Sequence, residues 1–174
     1  MKLNLGCGSN RLIGWENHDM DVDITKPLPF ANDSVECVLL EHVIEHITIH
    51  QAWDCLDEVY RILQPDGLLR ICFPNIFKVL YNGYKGYDEF IRVHGWGDGT
   101  RKGSVKALLF CHGHQMAWSF ETMEGVLGAI GFKNIEEEAP RMSSHPCFFG
   151  VDGHGRVLGE EFNDVETTVV EAQK

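Results

Sequence analysis

The chain has 174 residues, the size of one domain, and its 44% hydrophobic and 24% charged content excludes a disordered tail or a fibre. Its net charge of −11, from 15 basic and 26 acidic side chains, excludes a passive grip on nucleic acid. Six scattered cysteines with no C-x-x-C pair exclude a paired-thiolate zinc site and a disulfide scaffold, which leaves free thiols. No apolar run approaches the roughly 18–20 residues of a membrane span, and Met1 to Gly6 lacks the pattern of a secretory signal. A cytoplasmic protein with neither membrane nor nucleic-acid partner is expected. Nothing in the sequence fixes its oligomeric state.

In chain order, Leu3-Asn4-Leu5 alternates and runs into Gly6-Cys7-Gly8, which predicts a first strand and a tight turn. Trp15 to His18 predicts a short second strand, and the β-branched apolar run Val35 to Leu40 a buried one. Thr48 and Gln51 form a capping box, and Ala52, Leu56, Val59, Tyr60 and Leu63 repeat at helical spacing. Gln64-Pro65-Asp66-Gly67 has the chemistry to stop that helix, and Leu68 to Phe73 predicts the next strand. Strand, helix, strand is the pattern of a crossover in a parallel sheet. Ser119 caps a second helix with Phe120, Met123, Val126, Leu127 and Ile130 on one face, closed by Gly131. Strands follow over Phe132 to Glu138 and Thr167 to Ala172. With no linker to divide it, residues 1–174 are read as a single open, mostly parallel α/β domain. The glycine- and aromatic-rich stretch at about 76–118 is expected to be a structureless insertion that acts as a lid.

Ligands of such sheets bind outside the carboxyl ends of the strands, where Gly6-Cys7-Gly8 sits. A dinucleotide fingerprint needs a third glycine where Arg11 stands, and its acid falls about 20 residues on. Asp19 follows Gly8 by only 11 residues, and no Gly-Lys-Ser/Thr phosphate loop is present. A nucleoside ligand without a pyrophosphate remains, with Asp19 placed to accept both ribose hydroxyls.

The blocks LNLGCGSN, GWENHDMDVDI, PLPFANDSVECVLLEHVIEHI and LDEVYRILQPDGLLRICFPN run in order from Lys2 to Asn75. In this order they resemble the class I S-adenosylmethionine-dependent methyltransferases of the small type 11 style, with a fainter likeness in FETMEGVLGAIGF and VVEAQK. The resemblance implies a Rossmann-like sheet with an antiparallel C-terminal strand and S-adenosyl-L-methionine as cofactor. It makes Gly6, Cys7 and Gly8 the cradle of the methionine end and puts Asp19 on the ribose. Met20, Asp23 and Ile24 would lie near the adenine, and Leu40, Glu41 and His42 would face the sulfonium. The spacing departs from the family in its N-terminal half, which is too short for the first helix and the third strand. Arg11 is then left to meet the methionine carboxylate.

Glu41 to His46 also contains H-x-x-E-H, a spelling used by zinc peptidases on a helix. Here it follows a strand directly, so a peptidase is the remote alternative. Metal-dependent relatives spell this stretch E-x-x-E-H, with an acid where His42 stands. No metal is expected; Glu45 and His46 are read as bonding the loop and shaping the pocket wall. His42 and His46 are the candidate catalytic bases, with His112 and His114 as further candidates on the lid. The segment from Ile76 to Trp118 is the one net basic part of the chain, and it is rich in Tyr and Trp. It predicts a planar or sugar-like acceptor bearing negative charge, a small molecule or a glycan precursor. Residues from about Val93 to Val105 are expected to swing closed, bringing Arg101 and Lys102 onto that charge. The competing reading from another class is an S-adenosylmethionine-binding accessory module without catalysis.

Overall fold

The computed structural model describes residues 1–174. One sheet holds β1 (Lys2–Leu5), β2 (Glu16–His18), β3 (Val35–Glu41), β4 (Leu63–Pro74), β5 (Lys133–Glu138) and β6 (Thr167–Gln173), in the order β2-β1-β3-β4-β6-β5. β2, β1, β3 and β4 pair in parallel, and β6 runs antiparallel to both β4 and β5. The Rossmann-like sheet with one antiparallel C-terminal strand is as predicted.

Helix α1 (Ile49–Ile62) links β3 to β4 and begins at the Thr48–Gln51 capping box. Gln64 to Gly67 does not leave the sheet, contrary to expectation. Val35 pairs with Leu63 and Cys37 with Leu68, so the turn residues bulge out of a continuous β4, with Asp66 in the left-handed region at φ 64°. Helix α5 (Phe120–Ile130) starts at Ser119 and packs with α1 on one face of the sheet. Leu3, Leu5, Val38, Leu40, Leu69 and Ile71 meet Leu56, Val59, Met123 and Leu127 there, in the main core.

The opposite face has no helix over β1 and β3, because the N-terminal half is trimmed. The loop between β5 and β6 covers it instead, laying Phe148 and Val151 on Cys37, Leu39, Cys72 and Val169, with Leu12 and Trp15 alongside. This cover is pinned by a fully buried ion pair network. Arg70 of β4 donates to Asp152 through Nε (2.8 Å) and Nη2, to Glu171 of β6, and to the Met142 carbonyl (2.9 Å). Asp152 also accepts the Arg141 amide at 2.6 Å, and Ser143 donates to Glu171 at 2.9 Å.

The expected structureless lid is helical. It comprises α2 (Ile76–Asn82), α3 (Lys85–Val93) and α4 (Arg101–Phe110), capped by Asn75 and Thr100 at the starts of α2 and α4. Val79, Tyr87, Ile91, Ala107 and Leu108 form a small core of their own. It is completed by Phe162 and Val165 of α7 (Glu160–Glu166), which follows the short α6 (His154–Leu158). Tertiary burial overrides the glycine content here, as packing commonly overrides propensity. Three of its six Lys and Arg side chains are engaged by the fold. Arg101 grips Asp88 with two bonds of 3.0 Å, Arg92 pairs with Glu89, and Lys78 donates to the Thr167 carbonyl at 2.6 Å. Arg101 is therefore a clamp between α3 and α4 and not a mobile anion receptor.

Three outcomes follow. Arg70→Ala, which strands Asp152 and Glu171 without their cation, should cost about 3–5 kcal/mol in a urea titration. Arg101→Ala should cost about 1–3 kcal/mol by the same measure, since buried Asp88 keeps only its bond from Ser104. Lys102→Ala, at an exposed position, should stay within about 0.5 kcal/mol of wild type.

Candidate functional site

The carboxyl edge of the sheet is assembled from the turns after β1, β2 and β3. The Cys7 amide donates to the His18 carbonyl at 2.9 Å, which ties the glycine turn to the end of β2. Gly6 lies at φ 70°, and a Cβ there would meet Val43 Cγ2 at 2.4 Å, so this glycine is required by the chain itself. Gly8, at φ 47°, faces open space, which leaves its backbone accessible to a ligand. Burial pushes the Cys7 thiol up, with Arg11 opposing and Asp19 and Asp21 reinforcing the shift. Arg11 and Asp19 thus both stand within electrostatic reach of the turn.

Beyond β2, Asp21 is occupied by His18 Nδ1 (2.7 Å) and by the Asp19 amide (2.8 Å). The Asp19 carboxylate is exposed and receives no hydrogen bond from the chain. Met20 is exposed, Asp23 accepts from the Thr25 amide and hydroxyl (2.9 and 2.6 Å), and Ile24 is buried in the main core. The three residues expected near an adenine therefore stand in three different environments. Of them Met20 alone is open to solvent and free of partners.

At the end of β3, Leu40 is buried in the core, and the Glu41 carboxylate is fully engaged. It accepts from the amides of Gly153 (2.7 Å) and His154 (2.8 Å) and from Asn10 Nδ2 (2.8 Å). This carboxylate holds the start of α6 against the sheet edge. His42 follows at φ 52°, and that left-handed turn sends its ring the other way, toward the helical unit. There it stacks on His154 with centroids 3.7 Å apart. Thr167 Oγ1 donates to Asn163 Oδ1 (2.8 Å), so it accepts from His42 Nε2 (3.1 Å). Burial, reinforced by His154, pulls the His42 pKa down to about 3, so the ring is neutral at physiological pH.

These side chains wall a cavity of about 430 Å³ between the sheet edge and the helical unit. Phe90, Ile91, Trp96 and Leu108 supply its apolar side, and His46, His94, His112 and His114 its polar rim. Trp96 stacks on His94 (5.0 Å) and meets His112 edge-on (4.6 Å). Buried Glu166 accepts from Tyr87 and lies 3.4 Å from His154 Nε2. Burial alone would raise its pKa, but the bonds from His154 and Tyr87 outweigh it and hold the carboxyl below its usual range. None of the Lys or Arg side chains between Ile76 and Trp118 lines this cavity.

His42 and His46 do not share a helix. His42 precedes Val43 and a single 3-10 turn, Ile44–His46, that His46 ends, so the H-x-x-E-H spelling lacks the helical face that a peptidase needs. Sequence reasoning missed His154 and Glu166, which lie more than 110 residues along the chain from His42. Glu166 directly precedes the β-branched terminal strand, and His154 has no local signal.

Residues 10–71 match a family model described as a methyltransferase domain. Among solved structures the chain is similar to a SAM-dependent methyltransferase from Archaeoglobus fulgidus, at 14% identity and a TM-score of 0.60. That match covers 99% of this chain and 85% of the archaeal one. The chain has the fold of the class I S-adenosylmethionine-dependent methyltransferases. A possible histamine N-methyltransferase from Thermotoga maritima is similar at 14% identity and a TM-score of 0.54, over 99% of this chain and 81% of that one. Phosphoethanolamine N-methyltransferase 2 of Haemonchus contortus, solved with phosphomonomethylethanolamine and S-adenosylhomocysteine, is similar at 14% identity and a TM-score of 0.51. There the match covers 99% of this chain but 48% of the nematode enzyme, so this methyltransferase fold spans about half that enzyme's length. No curated protein sequence matches the chain. No helix is long and apolar enough to cross a membrane.

Tyr87→Phe isolates the link between the helical unit and the cavity wall. It should cost about 1.5–3 kcal/mol in a urea titration at neutral pH, because Glu166 stays buried and charged with one donor fewer.

Proposed function

We propose that this protein transfers a methyl group from S-adenosylmethionine to a small-molecule acceptor held in the histidine-lined cavity. The observation that carries the reading is adjacency. The cavity's inner wall, His42, directly follows Leu40 and Glu41 at the carboxyl end of β3, the edge where ligands of such sheets bind.

The donor set fits the cofactor. The open backbone at Gly8 suits the methionine end, with Arg11 beside it for the carboxylate, and Asp19 offers an unclaimed carboxylate to the ribose hydroxyls. When bound, the sulfonium supplies an already activated methyl group. The chain's task is then to hold the acceptor in line and to exclude water. Phe90, Trp96 and Leu108 suit an acceptor with a compact apolar or aromatic body. The rim imidazoles suit a hydroxyl or amine on it. His42, held neutral and bonded to Thr167, is a fixed wall and positions neighbours, whereas His46 is half-exposed at the cavity.

Calorimetry with S-adenosylhomocysteine tests the donor side. Binding is expected, and Asp19→Ala should weaken it by about 1.5–3 kcal/mol through loss of charge-assisted bonds. The acceptor side is tested by incubating a metabolite extract with labelled cofactor. Transfer that Trp96→Ala abolishes while S-adenosylhomocysteine affinity stays unchanged supports an enzyme. Cofactor binding without any transfer supports an accessory module instead.

A further inference from the structure

Glu45 is the one group at the cavity whose chemistry the methyltransferase reading leaves unexplained. It lies in the 3-10 turn after His42, 1% exposed, and neither carboxylate oxygen has a hydrogen-bond partner. The expectation that it bonds the loop is wrong for its side chain, since it is the backbone carbonyl that accepts from Gln115 and Met116. Its nearest candidate donor, His42 Nδ1 at 3.4 Å, is disqualified by the bond on the other side of the ring. Nε2 carries the proton given to Thr167, so the neutral ring turns a lone pair toward Glu45. A buried carboxylate without donors is costly, and the usual remedy is a cation.

Two imidazoles face the same point. One ligand atom each of Glu45, His46 and His114 lies within 4.8 Å of the other two. His114 Nδ1 bonds the Leu108 carbonyl at 2.5 Å, which fixes that nitrogen as the donor and leaves Nε2 with the free lone pair. This backbone support of the second ring nitrogen is the arrangement that orients metal-binding histidines. The geometry is held from the chain outward. His112 and Gly113 both take left-handed backbone (φ 65° and 77°), turning His114 back, and Gln115 Nε2 donates to the His46 carbonyl at 2.6 Å.

We infer that Glu45, His46 and His114 form a binding site for one divalent first-row transition metal ion, with its open positions facing the cavity. One carboxylate and two imidazoles is a borderline donor set that suits Zn²⁺, Fe²⁺, Mn²⁺ or Co²⁺ and leaves room for further ligands. Ligand atoms around such an ion stand about 3–3.5 Å apart, so small side-chain rotations close the present spacing. His42 is not in the set, being turned to Thr167 and His154. The site rests on these ligands alone; where methyl transfer also holds, the open positions would seat an oxygen or nitrogen of the acceptor.

The test is a Co²⁺ titration of chelator-stripped full-length protein without any S-adenosyl ligand, read by visible d–d absorption, with Zn²⁺ calorimetry and thermal melts in parallel. One ion per chain is expected, with Zn²⁺ raising the melting temperature. Glu45→Gln and His114→Gln should each weaken binding by about 100-fold or more, since even outer-shell partners are worth about 10–100-fold. His50→Ala, on the exposed side of α1, should leave it unchanged. Glu45→Gln removes an unpartnered buried charge, so circular dichroism should find it folded, with a melting temperature in chelator at or above that of wild type. A wild-type protein that gives no d–d band overturns the site. So does equal binding by both ligand variants, or equal loss in His50→Ala. Separate calorimetry with S-adenosylhomocysteine, unaffected by these outcomes, keeps this failure apart from failure of the methyl-transfer reading.

Discussion

The arrangement of the site depends on a buried guanidinium. Arg70 sits within the apolar run Leu68–Phe73 of β4, and it has no access to water. Burial disfavours its charge, but the bonds to Asp152, together with the nearby Glu171, keep it protonated. An ion pair of this kind is weak evidence of net stability, because desolvation consumes much of the attraction. Its effect is on geometry. Asp152 is fixed from two sides, by Arg70 and by the Arg141 amide, and the next two residues give their amides to Glu41. The ring of His154 then lands on His42. One buried cation therefore sets the loop that replaces the missing helices, the start of α6 and the inner wall of the cavity.

The acidic balance of the chain makes the treatment of its buried acids informative. Asp152, Glu171 and Glu166 all lie within the fold, and each accepts hydrogen bonds there. Glu45 is equally buried and has none; burial pushes its carboxyl up to about 7. Native proteins rarely leave such a group unsatisfied without a role for it. The contrast is sharper because Glu166 and Glu45 line the same cavity, one on each side of the His42–His154 stack.

How much of this was legible in the sequence follows the range of the signal. The capping box at Thr48, the cap at Ser119 and the closing Gly131 are local devices, and each stands where the spacing put it. β3, the Leu68–Phe73 stretch of β4 and β6 announced themselves by apolar runs. Helices α2 to α4 did not, because Gly86 and Gly103 lie inside α3 and α4, Gly83 ends α2, and their apolar faces are short. Phe162 of α7, which completes their core, lies beyond the β5 strand in sequence. The Arg70–Glu171 pairing left a trace that matching could have found, one cation inside the apolar run Leu68–Phe73 and one anion inside Val169–Ala172. The cavity's union of His42, His154 and Glu166 left no such trace, since no spacing rule spans the distance between them.

The division of labour along the chain follows from the same topology. Residues 10–71, which match the methyltransferase domain model, hold β2, β3 and the part of the sheet edge at Glu41 and His42. The apolar walls of the cavity come from α3, α4 and α6, outside that match. Two adjacent residues join the halves. Glu41 points to the cover loop and His42, through its left-handed backbone, points into the cavity. A glycine would adopt that backbone more cheaply, but it would forfeit the ring that stacks on His154 and bonds Thr167. The strain is thus held by contacts on both sides of the imidazole. Any change that loosened the cover loop would release His154, then His42, and so alter the acceptor cavity without touching a residue that lines the glycine turn.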